Sequence, residues 1–388
     1  MLLRFCRALA ILPLFLQLNC STSGKKFEKD GDLDLGSTAV LKIRKPVALS
    51  DKDRAGKNDP KVPPAAVTNW RSFFKAPPTA RERSVLEERL RHWHDGGSAE
   101  VLLGKARSEL ALGRLVAAET SLRQVLRIDA ANYEAMLELA SVFLRTQRVN
   151  DAFDILGQAK DAIRTSDEVE QLTVLKYRYT LALSYIARGD RDKGHKVLSD
   201  LIGTDKTFAP AYATLAQSYL AIGRDAVAEF VIRRGLDRVE DSAALLNLMG
   251  VVMQRQNRVE EARTWFEKAI KGTPGYVPAL VNRAVLSTAN MEFAAAEQDL
   301  LQALSLDPQN VDALVALGIV QKRQGNYAAA KESFGKAVEV GPENAFARFN
   351  LGVLLADHLK RPNEAVRLFR EVAQTNNVSE DIKETASN

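Results

Sequence analysis

The 388-residue chain is poor in the residues that build chemistry. It has two cysteines and four histidines, which excludes a disulfide framework and leaves little material for a metal cluster. It has no glycine-rich phosphate loop, no paired-histidine motif, no nucleophile elbow and no cysteine–histidine candidate, so an enzyme is not expected and no cofactor is implied. Beyond the N-terminus no apolar run reaches spanning length, which excludes a polytopic membrane protein. Excess charge of one sign is also small, a formal +5. Yet 46% of residues are hydrophobic and 27% charged, near the globular average, so wholesale disorder is excluded as well. Length alone suggests two or three domains, unless the chain is built from repeats.

The first segment reads as an address. Arg4 and Arg7 precede an apolar run from Ala8 to Leu18 that contains Pro13. The run is too short for a bilayer, which takes about 20 residues. Basic start, short apolar core and polar exit predict a secretory signal peptide over 1–19. Leu16-Gln17-Leu18-Asn19-Cys20 resembles the lipobox of bacterial lipoproteins, although Asn19 and Gln17 depart from that family's pattern. The resemblance implies lipidation at Cys20 and, with Ser21 rather than an aspartate next, an outer-membrane lipoprotein facing the periplasm. The alternative is an ordinary secretory peptide cut near Ser21 to Ser23, giving a soluble periplasmic or secreted chain. Cys6 leaves with the signal in either case.

Residues 20–78 read as a flexible basic arm. Between 24 and 77 there are 12 Lys+Arg against 7 Asp+Glu, with prolines at 46, 60, 63, 64 and 77, and no periodicity that would bury a core. Two stretches stand out. Ala39-Val40-Leu41-Lys42-Ile43 has the composition of a strand that adds to a partner's edge. Trp70 to Lys75 is a basic aromatic patch suited to an anionic membrane surface or to folding back on the body. Thr79-Ala80-Arg81-Glu82 has capping-box spacing, predicting a helix over 79–95 within an N-terminal capping region, 79–98. His92 and His94 are two apart and face different ways, so they are surface residues rather than metal ligands. His195 in a repeat helix and His358 at a unit turn are read the same way.

From residue 99 a pattern recurs every 34 residues. Leu246, Met249, Gly250, Ala262, Phe266, Ala269 and Pro274 become Leu280, Arg283, Ala284, Ala296, Leu300, Ala303 and Pro308, then Leu314, Leu317, Gly318, Ala330, Phe334, Ala337 and Pro342. Small residues let helices approach, large ones fill between units, and glycines at 113, 189, 223 and 325 mark turns. Asn310 and Asn344 stand where they would cap first helices. This pattern resembles the tetratricopeptide repeat. It covers residues 99–379 as eight units: 99–132, 133–166, 175–208, 209–242, 243–276, 277–310, 311–344 and 345–379. An eight-residue slip falls at 167–174, one extra residue near 360, and a polar tail fills 380–388. The resemblance implies an all-α fold, a right-handed superhelical solenoid, in place of two or three globular domains.

The resemblance also implies a function. First-helix positions five, nine and twelve line the family's concave groove, where a peptide or helix of a protein partner binds. Here they are Tyr179 and Leu183; Asn247, Val251 and Gln254; Val281 and Val285; Val315, Ile319 and Lys322; and Phe349 and Val353. Val281, Val285, Val315, Ile319, Phe349 and Val353 are expected to form an apolar strip, an interaction patch if it faces water. No lysine occupies the fifth positions, so the chaperone-tail clamp known in the family is not expected. Residues 99–388 carry 36 Lys+Arg against 38 Asp+Glu, which argues against nucleic acid. The reading is a lipid-anchored scaffold for an envelope machine, similar to lipoproteins serving pilus secretins, gliding motility or secretion. The alternative is an adaptor that recruits or regulates a peptidoglycan enzyme or protease.

Overall fold

The computed structural model describes residues 43–44, 78, 80–93, 97–166, 169–342 and 344–374. The signal segment, Cys20, the Trp70 patch, Thr79, His94 and the tail lie outside the described residues. Seventeen helices and one short strand pair occur among those described. Helix α1 spans Ala80–Arg91, shorter than the expected 79–95.

Eight helix pairs follow. They are α2 (Ala99–Ala111) with α3 (Leu115–Ile128), α4 (Tyr133–Arg145) with α5 (Val149–Thr165), α6 (Gln171–Arg188) with α7 (Arg191–Thr204), and α8 (Ala209–Ala221) with α9 (Asp225–Leu236). Next come α10 (Ala243–Arg255) with α11 (Val259–Gly272), α12 (Val277–Ala289) with α13 (Phe293–Leu306), α14 (Val311–Arg323) with α15 (Tyr327–Val340), and α16 (Ala345–Asp357) with α17 (Pro362–Ala373).

Each pair turns through one residue in the left-handed region: Gly113, Gln147, Gly189, Gly223, Asn257, Met291, Gly325 and Lys360. Their spacing is 34 residues, except 42 across the slip and 35 before Lys360. Glycine takes this conformation without a Cβ penalty, whereas the other four hold it because the pair on either side demands it. Asn310 and Asn344 accept from the Ala313 and Ala347 amides, each at 2.9 Å. Asn132 and Asn326 cap α4 and α15 in the same way. The second helices before Pro274, Pro308 and Pro342 end two residues short of each proline, at 272, 306 and 340.

A size rule operates inside each pair. Where the second helix carries Phe266, Phe334 or Phe369, the first carries Gly250, Gly318 or Gly352, and a Cβ there would overlap the ring. Where it carries Leu122, Leu156, Leu198, Ile232 or Leu300, the first carries Ala106, Ala140, Ala182, Ala216 or Ala284, all fully buried. One extra methyl on one helix is matched by a smaller side chain on the other, which keeps interior density constant.

The chain divides into two compact units, which among the described residues are 43–44 with 86–211, and 78 and 80–85 with 212–374. In the first, α2/α3, α4/α5 and α6/α7 stack in order around a core of Leu122, Leu139, Leu156, Ile163, Tyr177 and Leu181. Glu87 of α1 meets Arg114 at 3.6 Å there. The slip is shared by two helices and a short strand: α5 is 17 residues long where α3, α7 and α11 have 14. Residues 171–174 lengthen α6 to 18 residues against 13 for α4, and Val169–Glu170 forms strand β2, parallel to β1 at Ile43–Arg44. The strand expected around 39–43 thus pairs, at Ile43, with its own chain rather than a partner's edge; residues 39–42 lie outside the described residues.

In the second unit α10/α11, α12/α13, α14/α15 and α16/α17 stack in order. Tyr212 of α8 lies against Gly235 of α9, and Arg83 of α1 reaches Asp307 at 3.5 Å. No helix among the described residues is long and apolar enough to cross a membrane.

Candidate partner groove

The first helices touch one another as well as their partners: α4 with α6, α10 with α12, α12 with α14, and α14 with α16. This contact decides the fate of the groove residues. Val281, Val315 and Phe349, at the fifth positions, are 4%, 4% and 7% exposed. Phe349 lies against Phe369, ring centroids 5.8 Å apart. These three therefore fill the seams between helices, so that of the six residues of the expected apolar strip only the ninth positions are left partly open. The ninth positions Val285, Ile319 and Val353 remain half-buried, as do Gln254 and Lys322. Val251 is the exception among ninth positions, being buried.

Position-five Asn247 is buried too, and it accepts a 2.9 Å hydrogen bond from the Asn282 side-chain amide on the next first helix. Asn350 donates to the Phe346 carbonyl at 2.8 Å. Both arrangements satisfy buried amides inside the fold, so these asparagines tie first helices to themselves and to each other. Burial lowers the Lys322 ammonium pKa below the ordinary lysine range. In the first unit Tyr179 is buried with its ring edge-on to Phe208 at 5.6 Å, and Leu183 is half-buried. The second unit therefore presents a row of half-buried aliphatic residues on α12, α14 and α16, with Lys322 beside it and Gln254 on α10. It can offer apolar contact and one cation.

A second kind of surface escaped the sequence reading. Cavities open between successive second helices. One of about 410 Å³ is lined by Arg123, Arg127, Leu139, Phe143, Arg148 and Ile155. One of about 260 Å³ stands at the equivalent place in the second unit, lined by Glu267, Arg283, Ser287 and Asp299. Arg283 donates to Asp299 through Nε and Nη2 at 2.8 and 2.7 Å, where the first unit has Leu139 and Ile155. The Glu119–Arg148 pair at 2.9 Å is mirrored, with signs exchanged, by Arg263–Glu292 at 2.8 Å. The positions matter more than the residue types, which is why no motif flagged them. Phe230, 62% exposed on α9, also went unmarked; only its place on an outer helix face, with Val227 one turn before it, could have shown it.

His92 bonds the Glu88 carbonyl at 2.9 Å and His358 stacks on Tyr327 at 4.3 Å. Among the described residues no three His, Cys, Asp or Glu side chains are grouped to hold a metal.

Comparison with known proteins agrees with this architecture. Tetratricopeptide repeat models match residues 213–277 and 315–378, and another matches 109–173. Cellulose synthase operon protein C of Xanthomonas axonopodis pv. citri (strain 306) is 28% identical over 207 residues, 52% of this chain; the match spans only 13% of that relative. The crystal structure of yeast Tom70 aligns over 76% of this chain and 64% of that one, with 16% identity and a TM-score of 0.55. PilF of Pseudomonas aeruginosa aligns over 55% of this chain and 96% of that one, with 20% identity and a TM-score of 0.44. Helix pairs of constant register, small–large packing inside each pair and the matched repeat models lead to one conclusion: the chain belongs to the tetratricopeptide repeat family.

Proposed function

We propose that this chain is an exported scaffold, lipid-anchored at Cys20 on the periplasmic face of the outer membrane. It binds a protein partner along its first helices and so holds together an envelope machine of the pilus, gliding-motility or secretion kind. The observation that carries the binding role is the row Val285, Ile319 and Val353. These are aliphatic side chains left half-buried on three successive helices where Val281, Val315 and Phe349 one turn earlier are sealed. The envelope setting is supported by the Arg4 and Arg7 start, the Ala8–Leu18 run and Cys20.

Ile319→Glu with Val353→Glu tests the groove. Both sites are half-buried, and Ile319 only borders the core cluster that encloses Val315, so a charge there disturbs the fold less than one at Val315, which would unfold its repeat. Affinity capture of the full chain from crosslinked membranes is expected to recover motility, pilus or secretion subunits, and the double variant to lose them while circular dichroism shows its repeats folded. Unchanged recovery would sink the groove. Recovery of cell-wall hydrolases or synthases would replace the machine with an enzyme adaptor. Mass spectrometry of the mature N-terminus tests the anchor separately; an unmodified peptide starting at Thr22 or Gly24 removes it.

A further inference from the structure

The repeat array is interrupted once, and the interruption is where the arm meets the body. The spacing of turn residues rises from 34 to 42 between Gln147 and Gly189. Part of the surplus extends α5 at its end and α6 at its start. Between the two helices lies the extended pair Val169–Glu170. Val169 is 1% exposed and belongs to the core of the first unit, while Glu170 is exposed. A strand pinned to a core by one side chain presents unpaired backbone groups along its edge, and such an edge attracts another strand. Helices satisfy their own backbone groups and offer no such edge, so this strand is the natural acceptor in this unit.

The strand that fills it has a legible sequence. Ala39-Val40-Leu41-Lys42-Ile43 is the arm's apolar, β-branched stretch, and Pro46 stands two residues beyond Arg44, where a missing N–H ends pairing. The pairing is parallel, with Ile43 opposite Val169 and Arg44 opposite Glu170. A parallel partner cannot come from a tight hairpin, which fits an occupant more than a hundred residues away in sequence.

We propose that Val169–Glu170, between α5 and α6, is a strand-acceptor edge and that its occupant is the chain's own arm, clasped in cis at Ile43–Arg44. The arm then does not run free from α1. Counting back from Ala80, Cys20 is 60 residues away, a reach of about 200 Å when extended. Counting from Ile43 it is 23 residues away, a reach of about 80 Å. The clasp therefore sets how far the repeats can stand from whatever holds the N-terminus. An extended segment of a partner that paired with Val169–Glu170 would release the longer reach. This consequence rests on Cys20 as the anchor; the clasp itself does not, and its test leaves the anchor out.

The test is a disulfide across the register. Arg44→Cys with Glu170→Cys is made in the full chain carrying Cys6→Ser and Cys20→Ser. Directly opposed strand residues have the Cα separation a disulfide needs. Arg44→Cys with Glu339→Cys, an exposed site in the other unit, is the control. Under mild oxidation the first pair is expected to close within one molecule at least about tenfold faster than the control, because a docked segment has the higher effective concentration. Adding Ile43→Pro to the first pair is expected to bring its rate down to the control. Equal rates for the two pairs would overturn the proposal, as would a rate unmoved by Ile43→Pro. Disulfide-linked dimers in place of monomers would overturn the cis assignment. Circular dichroism of each variant checks that the repeats are folded.

Discussion

The size rule inside the helix pairs makes a signed prediction. Gly318 faces Phe334, and a Cβ on Gly318 would stand 2.6 Å from ring atoms Cδ1 and Cε1 and 2.9 Å from Cζ. Phe334 is fully buried, so the ring has nowhere to turn. Gly318→Ala should gain about 1 kcal/mol of helix propensity and lose about 1–3 kcal/mol to overpacking, a net loss of up to about 2 kcal/mol. Phe334→Leu alone should cost about 1–2 kcal/mol, between one lost methylene and a full truncation. The two together recreate the Ala284–Leu300 pair that the preceding repeat uses fully buried. Gly318→Ala should therefore stabilise the chain by about 1 kcal/mol when Phe334→Leu is already present. The coupling across the cycle is about 1–3 kcal/mol, with a change of sign in the effect of the methyl. Urea unfolding followed by helical circular dichroism measures it. Slopes must be compared across the four proteins, because a repeat array can lose its end units separately. Additivity within about 0.5 kcal/mol would show that the ring accommodates the methyl and that the Gly–Phe and Ala–Leu pairing is a coincidence of sequence.

Three further outcomes follow from single contacts. Asp299→Ala strands the half-buried Arg283 guanidinium and should cost about 2–3 kcal/mol. Arg283→Leu with Asp299→Ile, which copies Leu139 and Ile155 of the other unit, should recover most of it; thermal unfolding of both proteins decides. Burial pushes the Asp312 carboxyl up to about 6 from 3.8. The folded chain thus binds more protons than the unfolded one between those values, and this residue's contribution falls as pH rises from 4 to 6. Asp312→Asn should then raise stability at pH 7 and not at pH 4 in paired urea titrations. Asn310→Ala removes the 2.9 Å bond to the Ala313 amide and should cost about 1 kcal/mol, read from the urea midpoint.

How far the sequence reaches depends on the range of the interaction. The turn glycines 113, 189, 223 and 325 are legible singly, because a left-handed residue after a helix selects glycine. Gln147, Asn257, Met291 and Lys360 hold the same turn with positive φ, and only the 34-residue period reveals them. Asn310 and Asn344 are legible as caps because the side chain and its amide lie three residues apart. The β1–β2 pairing is not legible as an intramolecular contact. A β-prone stretch at 39–43 announces a strand, but its partner Val169 is far away in sequence and sits among helix-forming residues.

The candidate groove shows the same limit from the other side. A family rule places positions five, nine and twelve of each first helix toward a ligand, yet it says nothing of how tightly first helices close on each other. Here the closure is tight enough to bury Val281, Val315 and Phe349 and to pair Asn282 with Asn247. Residues that look like a binding strip are therefore partly the glue of the stack. Substituting the fifth positions would confound stability with recognition, since deleting a buried aliphatic or aromatic side chain costs about 2–5 kcal/mol by itself. Of the ninth positions, Val353 lies outside the core clusters, whereas Val285 and Ile319 border them and are only half-buried. If a partner reads this face, its specificity is written there and at Lys322, whose partly desolvated ammonium gains more from an incoming carboxylate than a fully hydrated lysine would.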